Sequence, residues 1–463
     1  MKRPNIHIKS FDNVYFIGIG GIGMSALARY FNNQKLNVTG YDKSASPLTD
    51  VLQREGIEIH FEDRGEGIDS KYNAVEKTLV VYTPAIPDDM GELNHFISKG
   101  FTVLKRAEVL GLITRNSKAL GVAGTHGKTT TSTMLAHMLN ESALGCNAFL
   151  GGIATNFNSN FVSNDTSPWT VVEADEFDRS FLQLSPFASI VTSTDADHLD
   201  IYGDNEVFLE GFTQYVDLID PLGFAVMHAS IDIPAANKIT YGLAANDPLE
   251  KADYRGYNLR FAQNVFLVDV QLPNECWCDV ELGVPGTHNA ENAIACIAMC
   301  VELGVSEKGI RSSLKSFSGV KRRFEYHLRS EELIYIDDYA HHPTEINALL
   351  DSIELLYPGK KVTGAFQPHL FSRTRDFFDG FASALSRMDE VVLLPIYPAR
   401  ELPIEGVTSD TLLAKITAAE KSVLSPGEAV ERLLQNADGV ILTIGAGDID
   451  RIVPKVNERL AAK

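Results

Sequence analysis

Residues 119–139 read ALGVAGTHGKTTTSTMLAHML, an apolar strand that passes through a glycine turn into a helix. The ending Gly127-Lys128-Thr129 is that of a phosphate-binding loop. In such a loop the lysine meets the β- and γ-phosphates as a point charge, and the hydroxyl coordinates magnesium. Gly124, Thr125, His126, Gly127, Lys128, Thr129 and Thr130 are therefore the candidate ATP loop. Val122 stands where the strict pattern has its first glycine, so the loop is a variant, and a plain glycine turn with an exposed lysine is the competing reading.

A second stretch of the same kind lies about a hundred residues earlier, FIGIGGIGMSALARYF at 16–31. Gly18, Gly20 and Gly23 follow a strand and open a helix, with Gly21 between them, and Asp42 closes the next strand. Glycines so placed let the backbone approach a pyrophosphate that sits against a helix N-terminus. The pattern alone favours a nicotinamide or flavin dinucleotide. It says nothing of the base, and a turn needed only for tight helix–strand packing has the same appearance.

Around these loops, short apolar runs alternate with helical stretches in three series. The first holds VYFIGI, LNVTGYD and TLVVYTPAI, the second KALGVAG, WTVVEAD and FASIVTSTDADHLD, and the third LIYIDDYA, KVTGAFQPH, EVVLLPIY and GVILTIGAG. That alternation predicts an α/β protein of parallel sheets covered by helices. Boundaries near 116 and 320 give domains 1–115, 116–320 and 321–463, with a β-like insert RFAQNVFLVDVQLP in the second. The 463-residue length suits three domains.

The chain carries 41 Lys plus Arg against 61 Asp plus Glu, a formal net charge of -20. With no basic tract to offset this, nucleic acid and anionic membranes are poor partners. No run reaches the roughly 20 apolar residues of a membrane span, and MKRPNIHIKSFDNVYF has no signal-peptide core, so a cytoplasmic protein is expected. The five cysteines, Cys146, Cys276, Cys278, Cys296 and Cys300, make no disulfide framework, and structural thiols are expected in preference to metal ligands.

Two further strand ends carry chemistry. WTVVEADEFD presents Glu173 where phosphate-loop proteins keep a magnesium-holding carboxylate, and TDADHLD presents His198. The carboxylate is the expected hard ligand. Imidazole is less usual for magnesium, and a lone histidine after a strand is commonly a structural hydrogen-bonder.

Taken in order, GTHGKTTT, VEADEFD, DADHLD, GTHNAENA, VKRRFE, IDDYAHHP and QPHLFSRTRD resemble the Mur ligases, ATP-dependent enzymes that add amino acids to the peptidoglycan precursor. The resemblance covers the chain from end to end. It implies a Rossmann-like N-terminal domain for a UDP-sugar, a central ATPase domain of the phosphate-loop type and a Rossmann-like C-terminal domain. It also implies a reaction in which L-alanine is joined to the carboxylate of UDP-N-acetylmuramate through an acyl phosphate, with ATP as co-substrate and magnesium as cofactor. Two phosphate loops then serve two nucleotides: Gly18, Gly20, Gly21, Gly23 and Asp42 pass from a dinucleotide to the UDP group.

Residue by residue, the resemblance assigns Lys128, Glu173 and His198 to catalysis, and Thr129, Glu173 and His198 to the metal. His288, Asn289 and Asn292 fall on the adenine side, Arg323 on the phosphates, and Asp338 on the nucleotide from the C-terminal domain. His342, His369 and Arg373 fall where L-alanine is recognised, a guanidinium suiting the α-carboxylate. Gln214 stands near the place where other members carry a carbamylated lysine, and Leu370 stands where another arginine is expected, with Arg375 in reserve. Since the ATP residues come from two domains, the resemblance implies a site completed only when the C-terminal domain swings in.

Overall fold

The computed structural model describes residues 6, 8–195, 205–244, 252–262, 265–399, 401–435 and 438–461. His198 lies outside the described residues.

The first sheet begins with β1 (Asn13–Ile17), every residue of which is buried, as expected of a parallel strand covered on both faces. With β2 (Asn37–Tyr41), β3 (Glu58–His60), β4 (Thr78–Tyr82) and β5 (Thr102–Lys105) it forms a five-stranded parallel sheet in the order β3-β2-β1-β4-β5. Because β2 lies on one side of β1 and β4 on the other, the chain order reverses at β1. The loop after β1 thus opens at the switch point, where crevices form in open α/β sheets.

The second sheet has ten strands. They are β6 (Lys118–Ala123), β7 (Asn147–Ala154), β8 (Ser159–Val162), β9 (Trp169–Glu173), β10 (Pro186–Val191), β11 (Ala225–His228), β12 (Lys238–Leu243), β13 (Tyr254–Ala262), β14 (Val265–Gln271) and β15 (Cys276–Leu282). Their order is β15-β14-β13-β12-β11-β10-β6-β9-β7-β8. Again the phosphate-loop strand is internal, with β6 parallel to both β9 and β10. The expected β-like insert is present as β13 and β14.

The third sheet comprises β16 (Glu325–Arg329), β17 (Leu333–Asp338), β18 (Val362–Phe366), β19 (Glu390–Leu393), β20 (Glu420–Val423) and β21 (Gly439–Ile444), in the order β16-β17-β21-β18-β19-β20. Only β16 runs antiparallel to its neighbour. The α/β architecture of three parallel-rich sheets is therefore as the strand spacing predicts.

By compactness the chain divides into two units. One holds residues 1–259, 267–283 and 291–318, and the other 260–266, 284–290 and 319–463. Within the first unit, the buried Asn160 of β8 donates to Ile22 O at 2.5 Å and to Ser25 Oγ at 2.9 Å, and its amide oxygen accepts from Arg29. Those contacts hold the first turn of the helix Ile22–Asn33, and hence the first glycine loop, against the second sheet.

Candidate active site

Each loop is shaped by a few close approaches. Gly127 takes φ +79° and starts the helix Lys128–Asn140, a left-handed turn that glycine adopts without strain. Behind it, Thr125 N–H donates to Ser193 O at 3.1 Å, Thr125 Oγ1 to Asp195 O at 2.8 Å and His126 N–H to Ser193 Oγ at 3.0 Å. His126 Nε2 lies 3.8 Å from the Asp195 carboxylate, and Thr130 belongs to the first turn of the helix. The first N–H groups of a helix lack intrahelical partners and favour anions.

Lys128 folds back over this turn. Its ammonium donates to Gly124 O at 2.7 Å and lies 2.8 Å from Glu176, which is almost fully enclosed. Burial works against the lysine's charge, but Glu176, Asp175 and Glu173 outweigh it and keep Lys128 above the ordinary lysine range. Glu176 is itself pushed up to about 7 by burial, with Lys128 opposing the rise and Asp175 adding to it.

Glu173 ends β9, directly across from Val122 of β6. Its Oε1 accepts the Thr129 hydroxyl at 3.2 Å and its Oε2 accepts Gly151 N–H at 3.1 Å. A Cβ on Gly151 would come within 2.2 Å of that oxygen, so only glycine admits the carboxylate here. Two hard oxygen donors, Thr129 Oγ1 and Glu173 Oε1, stand side by side beside the loop lysine, a donor set that fits magnesium.

The first glycine loop faces the same space. A cleft of about 270 Å³ is lined by Gly21, Gly23, Thr83, Arg106, Glu173 and Asp175, among others. Gly18 takes φ +87°, and its N–H donates to Tyr41 O at 2.8 Å. Gly20 N–H donates to Asp42 Oδ2 at 2.7 Å, so Asp42 is engaged with the loop's own backbone. A Cβ at Gly23 would meet the Arg106 guanidinium at 2.6 Å, which places that charge over the start of the helix, 3.6 Å from Asp175.

Of the adenine candidates, Asn292 belongs to the first unit, and its amide oxygen lies 2.8 Å from where a Cβ on Gly127 would be. Asn289 is one turn earlier on the helix Thr287–Glu302, nearly buried, and donates to Pro285 O at 2.5 Å. His288 packs beside Gly286. Gln214 is far from any such role, its amide donating to Glu210 at 3.0 Å on an exposed helix face.

In the second unit the remaining candidates gather around the C-terminal ends of β17 and β18. Asp338 is half-buried and accepts Phe324 N–H at 2.7 Å and Ala340 N–H at 2.8 Å. Burial pushes it up to about 6 against the pull of Arg323. Arg323 lies over the Tyr339 ring at 4.9 Å and 4.0 Å from Glu345. His369 stacks on Tyr397 at 5.5 Å, and burial first, then His341 and Arg373, push it down to about 4. Its Nδ1 is buried without a hydrogen-bond partner among the described residues.

His342 is placed differently. It opens the helix Pro343–Leu356, with Nδ1 accepting Thr344 N–H at 3.3 Å, and its ring meets Phe377 edge-on at 4.4 Å. The imidazole near His369 is that of the neighbouring His341, 6.3 Å away between ring centres. Arg375 is exposed and paired with Asp376 at 2.8 Å. Leu370 takes φ +70° as it opens the helix Phe371–Asp376, so the backbone at that position is strained for a leucine.

Three family models match the chain in sequence: the Mur ligase family catalytic domain over residues 13–118, the Mur ligase middle domain over 122–300 and the Mur ligase glutamate ligase domain over 322–447. The chain belongs to the Mur ligase family. Among its relatives, the UDP-N-acetylmuramate–L-alanine ligase of Flavobacterium johnsoniae is 47% identical, the match covering 98% of this chain and 99% of the relative. That of Porphyromonas gingivalis strain W83 is 48% identical over 96% and 98% respectively. The crystal structure of the UDP-N-acetylmuramate–alanine ligase of Thermotoga maritima is similar with a TM-score of 0.82 at 27% identity, covering 97% of this chain and 99% of that one.

In this Mur ligase, three site residues escape a reading by sequence pattern. Glu176 lies in the quoted run VEADEFD, where four acids compete for one role, and only burial singles it out. Arg106 opens a helix some eighty residues after the loop it covers, with no spacing signal at all. His341 differs from His342 by one position, and the helix start decides which ring turns toward His369.

Proposed function

We propose that this Mur ligase joins L-alanine to the carboxylate of UDP-N-acetylmuramate at the expense of ATP, as a step in cytoplasmic peptidoglycan precursor synthesis. The observation that carries the reading is the shared cleft: the first glycine loop and Arg106 line one part of it, and Glu173, hydrogen-bonded to Thr129 of the second loop, lines another. A UDP-sugar held by its diphosphate at Gly18–Gly23 would present its carboxylate toward the phosphate-transfer residues.

A carboxylate does not react with an amine in neutral water, because its carbon is electron-rich and the amine is protonated. Transfer of the γ-phosphoryl group to a carboxylate oxygen gives an acyl phosphate. The alanine nitrogen then forms the new C–N bond, a tetrahedral oxyanion results, and inorganic phosphate leaves. Positioning and charge neutralisation supply most of the acceleration in such chemistry.

Lys128 is the charge that meets the β- and γ-phosphates, kept cationic by the acids around it. Thr129 and Glu173 would hold magnesium, with His198 a third candidate, and the ion would neutralise phosphate charge. Gly124–Thr130 supplies the ATP loop, with Asn292 beside it, and His288 and Asn289 are assigned to the adenine. Asp42 acts on the UDP-sugar indirectly, by holding Gly20. Arg323 and Asp338 are assigned to the nucleotide. Arg373 is assigned to the alanine carboxylate, and His369, neutral at physiological pH, stands beside it. His342 supports that region as a helix cap.

The test is phosphate release with ATP, magnesium, UDP-N-acetylmuramate and L-alanine. Release that requires both co-substrates, together with a product heavier by one alanyl residue, is the expected outcome. Release without them, or a bound nicotinamide or flavin spectrum, would overturn the reading.

A further inference from the structure

Two of the five cysteines do not behave as structural thiols. Cys146, Cys296 and Cys300 are buried, as suits the structural thiols expected, but Cys276 and Cys278 are exposed. The reason is strand alternation. In β15 the indole of Trp277 points inward and is 3% exposed, which turns Cys276 and Cys278 outward on one face.

The pair is held rigidly. Arg311 lies over the Trp277 ring at 5.7 Å and donates to Cys278 O at 3.0 Å, which pins the strand from behind. In front, the Tyr257 hydroxyl lies 3.0 Å from Cys276 Sγ. Residues two apart on one face of a strand have Cβ atoms about 6.6 Å apart. A disulfide needs about 3.5–4.5 Å, so this geometry disfavours an S–S bond between the two. Two sulfurs on one exposed face across that span can instead share one ion.

We infer that Cys276 and Cys278 form a two-thiolate binding site for a soft, thiophilic cation, on a surface outside the ligase machinery. Thiolates select soft ions, and Cu(I) is satisfied by two of them, whereas zinc prefers four ligands. The nearby Asp269 is a poor further ligand, since its carboxylate already accepts from Asn258 Nδ2 at 2.7 Å and Asp279 N–H at 2.8 Å. Binding is an exchange without electron transfer: two S–H bonds are lost, two S–Cu bonds form and two protons are released for each Cu(I).

The experiment is an anaerobic titration of the full chain with Cu(I) held by bicinchoninate, following the chelator's visible band. One ion per chain and two protons released per ion are expected. Cys276→Ser and Cys278→Ser should each weaken binding at least tenfold, and the double variant should no longer compete. Ligase turnover and the unfolding midpoint should not change. Retention of the ion by the double variant, equal affinity in the single variants, or zinc bound by the pair as tightly as Cu(I) overturns the inference. Should the double variant fail to fold, alkylation of the native protein by iodoacetamide replaces it. The exposed pair reacts and the three buried thiols do not, and Cu(I) binding that survives alkylation also overturns the inference.

Discussion

The Lys128 ammonium and the Glu176 carboxylate lie 2.8 Å apart in the first unit, the carboxylate almost fully enclosed and the ammonium reaching it across the turn of the phosphate loop. The lysine assigned to the transferring phosphate is thus already held, by an acid that burial leaves only weakly inclined to ionise. An arriving triphosphate would compete with Glu176 for the same charge.

Lys128→Ala should lower turnover by on the order of a hundredfold or more, since an electrostatic contact to the developing charge is lost. The affinity for UDP-N-acetylmuramate should be little changed, because that ligand is assigned to the other loop. Steady-state kinetics with binding calorimetry checks both, and near-normal turnover would move the ATP site elsewhere.

Glu176→Gln tests the titration of the pair. In the folded chain Glu176 binds its proton up to about 7, against an ordinary value of 4.5, so the native state holds an extra proton between those limits. Its contribution to stability is therefore fully present below pH 4.5 and is lost as pH rises toward 7. Denaturant unfolding from pH 5 to 8 should show that decline in the native protein and a flatter profile in the variant.

Arg106→Ala should raise the KM for UDP-N-acetylmuramate roughly ten- to hundredfold, as expected for a charge-assisted hydrogen bond of about 1.5–3 kcal/mol. Hydrogen exchange gives a second readout: UDP-N-acetylmuramate should protect Gly18–Gly23 in the native chain and protect them less in the variant. Protection by a dinucleotide and none by the UDP-sugar would return the loop to its first reading.

Gly151→Ala should cut turnover by at least tenfold while the fold persists. The new methyl group would fall 2.2 Å from Glu173 Oε2, and the carboxylate must swing away from Thr129 to avoid it. A variant as active as the native chain would separate Glu173 from the reaction.

His369 should titrate near 4 by NMR, well below an ordinary histidine. The sign follows: between about 4 and 6.5 the unfolded chain binds the proton and the folded chain does not, so this group's stabilisation is present above 6.5 and is lost as pH falls through the window. His369→Gln should remove that dependence. It should also lower turnover more than it changes ATP affinity.

The sequence by itself determined the elements and the two glycine loops that join a strand to a helix. Gly18–Gly23 and Gly124–Thr130 were legible because a strand, a glycine turn and a helix start are contiguous in the chain, and local backbone geometry dictates them. Glu173 was legible for the same reason, as an acid at the end of an apolar strand. What only the tertiary structure decided are the partners brought from far along the chain. Arg106 over Gly23, Glu176 beneath Lys128 and Asn160 against the helix Ile22–Asn33 depend on which helices and sheets pack together. The same is true of the choice between His341 and His342, and of the outward turn of Cys276 and Cys278. A strand exposes alternate residues, but which face meets solvent depends on what packs against the other, and no local pattern encodes that.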